Sequence, residues 1–504
     1  MSSQHPRVPT NLEQQHKLAK DLLRAARAGE PSALARLTAV RADAGATRPL
    51  QLADAQLAVA RESGFESWPR LVEQLQQRDI KAFHDAVSHG DVAAVRRLLG
   101  LPHVAEQVNA PMFAFGQRAA HIAAKQAPIL ELLIAAGADL NLKSEWEKGP
   151  YTVLDNTSEE TARFLLARGV LLTPNVAASL GWIDELRRLL DADPALVHAR
   201  GGDGQQPLHE AATVAIADLL LDRGADVNVR CIDHKSTPAQ YALAERPDVC
   251  RRLLARGASA DIFMPARLGD VALAARVLDA DPRAIAARIN ETGYPPVPRL
   301  HIYCWTLGFG LSPHDVALKF GHRDVYELLV DRSPRHVRFI TVVLAGDEAG
   351  ARELIDQDPS LVTALTPADH SRLAHAIFNG RREAAQLMLR LGFDETAGGV
   401  DGGTALHAAC WIGDVGLVEA ILLGGRVALE SRDPVHKSTP LGWTAFGSVH
   451  RRAPGGDYAA VVDRLVAAGA DINAAGNGQP LSLLAMAEGN VEVQAALRKH
   501  GARP

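Results

Sequence analysis

Doubled aliphatic residues recur along this chain, each often followed by two further residues and a glycine, from Leu98-Leu99 and Leu132-Leu133 through Leu253-Leu254, Met388-Leu389 and Ile421-Leu422 to Ala496-Leu497. The intervals centre on about 33 residues, a period that predicts small amphipathic units which bury their apolar faces only by stacking on one another. Residues 10–78 follow a different rhythm. The stretch "NLEQQHKLAKDLLRAARAGEPSALARLTAV" has helical spacing broken at Gly-Glu-Pro, and "LQLADAQLAVARESGFESWPRLVEQLQQ" predicts two helices joined through Gly64. These helices are expected to form a small N-terminal helical cap, with Phe65 and Trp68 in its core, because the end of a stack needs a cover.

Between the doubled pairs, similar words return in register. "ELLIAAGADLN", "DLLLDRGADVN" and "RLVAAGADIN" close units, whereas "QPLHEAA", "GGTALHAAC" and "STPLGWTA" open them. Thr or Ser caps a helix, Pro fits its first position where a missing N–H costs nothing, Ala permits close packing, and Gly supplies a left-handed exit. Over roughly residues 80–504 these words and their period resemble the ankyrin repeat. The resemblance implies an all-α protein, an ankyrin-repeat solenoid of about thirteen helix-pair repeats behind the helical cap. The cap itself resembles a leader found before ankyrin repeats in some bacterial proteins.

Departures from the period locate candidate function. Short intervals precede segments such as "ARLGDVALAARVLDADPRAI", whose Asp-Pro marks a tight turn. The interval from Val277 to Leu328 is long, and its surplus lies in "NETGYPPVPRLHIYCWTLGFGL" (290–311), on the hairpin side that edges the concave binding face implied by the family. Only 5% of the chain is aromatic, yet this insert holds Tyr294, Tyr303, Trp305 and Phe309 beside His301 and Cys304. Pro295, Pro296 and Pro298 stiffen its approach. A second surplus, "GSVHRRAPGGD" (447–457), falls between the two helices of its unit.

Composition narrows the classes. With 47% hydrophobic residues the chain can bury a large core, and its net charge of -5 gives no overall field toward nucleic acid or an anionic membrane. Cys231, Cys250, Cys304 and Cys410 lack zinc or redox spacing and read as reduced thiols. The first twenty residues lack the apolar core of a signal peptide, and no apolar run is long enough for a membrane span. A cytoplasmic location is expected, with no cofactor, no metal, no nucleic acid and no membrane partner.

No nucleophile elbow, phosphate loop, dinucleotide fingerprint or metal-binding helix signature is present. His121, His209 and His407 occupy the His of the opening word, and His314, Asp315 and His322 also sit on repeat positions, so repeat architecture explains them. Cys304 and His301 are an odd number of residues apart and would diverge on an extended segment. The expected function is therefore a protein-binding scaffold using its concave hairpin face and the aromatic insert, with Tyr294, His301, Tyr303 and Trp305 as contacts. The alternative is a small-molecule-binding protein or enzyme, metal-dependent in one version, with a pocket under the insert. Two copies of His-Lys-Ser-Thr-Pro, at 234–238 and 436–440, add His234, Lys235, His436 and Lys437: their Thr-Pro is helix punctuation, whereas their His-Lys replaces an Asp-Gly hairpin tip with a basic one suited to an anionic ligand.

Overall fold

The computed structural model describes residues 11–40, 49–290, 300–474 and 481–503. Its regular elements are helices, grouped into two compact units, Met1–Pro207 and Leu208–Pro504.

In the first unit, helix Leu12–Arg27 starts where Asn11 Oδ1 accepts the Gln14 N–H at 2.7 Å. It packs with Pro31–Thr38 and Leu52–Glu62 around Ala19, Leu22, Leu37, Ala55 and Ala58. Trp68 lies against this cluster and, with Phe65, against a second one of Ala60, Leu71 and Leu75, so both rings serve packing. Helix Trp68–His89 runs unbroken across residues 78–80 and ends at Gly90, whose φ of +78° gives the left-handed exit. Its last turns place Phe83, Ala86 and Val87 in the apolar layer shared with Val92–Leu99, Ala119–Ala123 and Ala127–Ala135.

The second unit repeats a two-helix theme. Pro238–Ala242 precedes Pro247–Ala255, Arg372–Phe378 precedes Arg382–Arg390, Ala405–Ile412 precedes Val415–Gly424, and Pro440–His450 precedes Tyr458–Ala467. The doubled aliphatic residues fall in the second helix of each pair: Leu253 is in Pro247–Ala255, Met388 in Arg382–Arg390, Ile421 in Val415–Gly424 and Leu465 in Tyr458–Ala467, all nearly or wholly buried. Each such side chain contributes about 1.5–3 kcal/mol on leaving water, and the first helices of neighbouring pairs lie side by side to supply the cover.

Residues 447–450 of the second surplus extend the helix that begins at Pro440, so this surplus is part helix and part turn. The turn is held by the Tyr458 hydroxyl, which accepts the Ala453 N–H at 3.0 Å and donates to Trp411 O at 3.1 Å. Among the described residues, no helix is long and apolar enough to cross a membrane.

Candidate functional site

The two His-Lys-Ser-Thr-Pro words adopt one structure twice. Thr237 caps its helix, with Oγ1 accepting Gln240 N at 3.4 Å, and Thr439 does the same for Gly442 N at 3.2 Å; Pro238 and Pro440 follow at the first helical position. The turn before each cap closes through Cys231 N to Ser236 O (3.0 Å) and Asp433 N to Ser438 O (3.1 Å). Lys235 (φ +52°) and Lys437 (φ +57°) are left-handed just before the closing residue, where Gly204 (φ +68°) and Gly402 (φ +73°) stand in the other tips. An upstream arginine secures each lysine: Arg230 Nη1 donates to Lys235 O and Arg432 Nη1 to Lys437 O, both at 2.6 Å.

The first copy anchors the insert. His234 Nδ1 meets Leu300 O at 2.7 Å, and Ser236 Oγ accepts Ile302 N at 3.2 Å. Ile289 N to Leu311 O and Gly310 N to Ile289 O, each 3.0 Å, close its base. Residues Tyr303–Thr306 form a helical turn rather than an extended segment. Tyr303 is fully buried and its hydroxyl donates to Asp261 Oδ2 at 2.8 Å, beside the Gln240 side-chain amide at 2.9 Å on the same oxygen. His301 is 1% exposed, lies 4.6 Å from the Tyr303 ring, and has an Nε2 without a hydrogen-bond partner. Burial, helped by Arg230 and His234, pulls its pKa down to about 3. Cys304 is buried too, which pushes its thiol up to about 12 and away from thiolate chemistry. His301 and Tyr303 thus hold the insert onto the unit, and Trp305, 61% exposed, faces outward. Tyr294 lies outside the described residues.

From Trp305 an aromatic row continues that the sequence reading passed over. Trp305 meets Phe309 edge to face at 5.7 Å, Phe309 meets Phe378 at 6.2 Å, Phe378 stacks on Trp411 at 6.2 Å with planes 2° apart, and Trp411 stacks on Phe446 at 6.2 Å. Phe378, Trp411 and Phe446 are each the seventh residue after their helix's N-cap, Ser371, Thr404 and Thr439, so side-by-side helices bring them into line. All three rings are half-buried.

The row ends at a cleft of ≈ 160 Å³ lined by Phe378, Trp411, Trp443 and Phe446, with Met486, Gly442 and Ser438, and with Asp401 and His436 at its rim. His436 Nε2 is 3.3 Å from Asp401 Oδ2. Under Trp443 lies Asp433, 1% exposed, accepting Trp443 Nε1 at 3.0 Å and the N–H groups of His436 and Ser438. Burial raises the Asp433 pKa, but the bond from Trp443 and those backbone donors outweigh it and leave the carboxyl below its ordinary range. Ser438 Oγ and Trp411 Nε1 are buried without a hydrogen-bond partner.

Residues 203–232 match the family model described as the ankyrin repeat. This stretch of the chain is ankyrin-like. Among solved structures the chain is similar to the crystal structure of the human ASB11 ankyrin repeat domain, at 18% identity over 60% of this chain and 100% of that one, with a TM-score of 0.27. No curated protein matches the chain.

The histidines of the recurring opening words are occupied by local structure. His121 bridges Arg118 N (3.3 Å) and Tyr151 O (3.2 Å), His209 meets Ser236 O at 3.1 Å, and His407 takes Thr404 N at 3.2 Å while reaching Ser431 O and Ser438 O. His314 Nε2 contacts Ser333 Oγ at 2.9 Å, and His322 Nε2 contacts Arg267 O at 3.0 Å. Asp315 is a structural anion: Arg381 Nη1 is 2.5 Å from one oxygen, Arg288 Nη1 is 3.7 Å from the other, and the Ser312 N–H and hydroxyl both donate at 2.8 Å. Burial alone would raise its pKa, but Arg381 and Arg288 bring it to about 2. The nearly buried Arg288 was unforeseen, since one arginine in "AARINE" looks like any other.

Proposed function

We propose that this protein is a non-enzymatic ankyrin-repeat scaffold, a solenoid of about thirteen repeats that binds a protein partner along its concave face. The partner contacts the exposed end of the 290–311 insert and the row that continues it. The observation that carries this reading is the line Trp305, Phe309, Phe378, Trp411 and Phe446, ring against ring, with Trp305 exposed and the other four half-buried. Large, rigid, half-exposed aromatic side chains lose little conformational freedom on binding and bury much area, which is what central interface residues require. His234 then acts by fixing the insert and His436 borders the end of the row, whereas Lys235 and Lys437 form the left-handed tips of their turns.

Affinity capture with the full chain tests the proposal. Proteins retained by the wild type should be lost from Trp305→Ala and Phe446→Ala proteins whose helical circular dichroism is unchanged. If every retained protein binds both variants as well as the wild type, the row is not the contact and the reading fails.

A further inference from the structure

The cleft at the end of the row has a chemistry of its own, and the inference drawn from it rests on the scaffold reading above. Its walls are aromatic rings: Phe378 and Trp411 are parallel within 2°, Trp411 and Phe446 within 24°, and Trp443 stands across Trp411 at 6.0 Å. The faces of aromatic rings carry negative potential and attract cations. Its charges agree in sign, because Asp401 is at the rim with its side chain 44% exposed and the ionised Asp433 lies just beneath Trp443. Neither lysine nor arginine is among the lining residues, and the rim base is the single imidazole of His436. The remaining polar group is the hydroxyl of Ser438, which can accept as well as donate, 2% exposed as a residue and without a partner. Gly442 keeps the floor beside it bare, since a Cβ there would come within 2.2 Å of that oxygen.

We infer that this cleft takes an arginine side chain of the protein partner, its guanidinium lying on the aromatic faces and donating to Asp401 and Ser438 Oγ. A flat cation suits nearly parallel rings better than a compact ammonium, because guanidinium is weakly hydrated, stacks on π faces and forks toward carboxylates. The volume of ≈ 160 Å³ accommodates one such side chain rather than a folded segment. This reverses the charge expected from the sequence at this end of the molecule: His436 and Lys437 suggested an anionic ligand, yet the groups that line the cleft are acidic and aromatic.

Calorimetric titration of the full chain with acetyl-Gly-Arg-Gly-amide tests the inference against two controls, the citrulline isostere and the lysine counterpart. The substitution Asp401→Asn keeps shape and suits the left-handed conformation at that position (φ +52°). The arginine peptide should bind, and both citrulline and Asp401→Asn should weaken binding at least about tenfold. Equal binding of citrulline, an unchanged affinity in Asp401→Asn, equal binding of lysine, or no heat with millimolar arginine peptide would each overturn it. If partner capture depends on Trp305 and Phe446 while the arginine peptide does not bind, the guanidinium assignment falls and the scaffold reading stands. If capture is also indifferent to those residues, both fall.

Discussion

His234 Nδ1 lies 2.7 Å from the carbonyl oxygen of Leu300, 66 residues further along the chain, so the first His-Lys-Ser-Thr-Pro word is a clasp on the insert. Removing the imidazole with His234→Ala should cost about 1 kcal/mol of local stability, the net worth of one hydrogen bond. Hydrogen exchange should show faster amide exchange across 300–306 with little change in the helix Pro440–His450. Unchanged exchange at 300–306 would mean that Ser236 and the buried Tyr303 hold the segment without the clasp.

Asp315 holds the insert's other flank. Asp315 and Arg288 are buried and Arg381 is partly exposed, so Asp315→Ala leaves one buried cation without its partner and should destabilise the protein by about 3 kcal/mol. Because the folded pKa is about 2 and an unfolded aspartate titrates near 3.9, the stabilisation is complete above about pH 4 and is lost as pH falls toward 2. Urea midpoints of wild type and variant should therefore converge below pH 4.

His301 acts at milder acidity. Burial favours the neutral imidazole with a folded pKa of about 3, while the unfolded residue takes up a proton near 6.5, so its contribution is present above pH 6.5 and fades as pH falls to about 3. The substitution His301→Gln should flatten the stability profile between pH 6.5 and 4, read from thermal midpoints at several pH values. A wild-type slope retained by the variant would assign the acid sensitivity to other groups.

Much of the helical architecture was legible because it is local and periodic. Leu253, Met388 and Leu465 announced their helices through spacing, and Thr237-Pro238 and Thr439-Pro440 announced their caps through chemistry. The aromatic row was also written in the sequence, as Phe378, Trp411 and Phe446 at one offset from three caps, but the density of aromatic residues in the insert drew attention from a pattern spread over three units. The exchange of Cys231 for Asp433 at the same turn was equally visible, yet its meaning depends on Trp443 reaching back to that carboxylate. The burial of His301 and Tyr303 and the pairing of Arg288 with Asp315 could not be read, because each rests on neighbours brought together only by the tertiary fold.

Helix Trp68–His89 places Leu71 and Leu75 in one apolar cluster and Phe83 and Val87 in the next. A single rod shared by two cores makes their unfolding one event: loosening either end withdraws support from the other, since a helix of this length has no hinge to isolate them. The helices of residues 12–62 are thus thermodynamic partners of those that follow Gly90, and a chain trimmed at residue 80 would lose cooperativity along with the packing of Leu71 and Leu75.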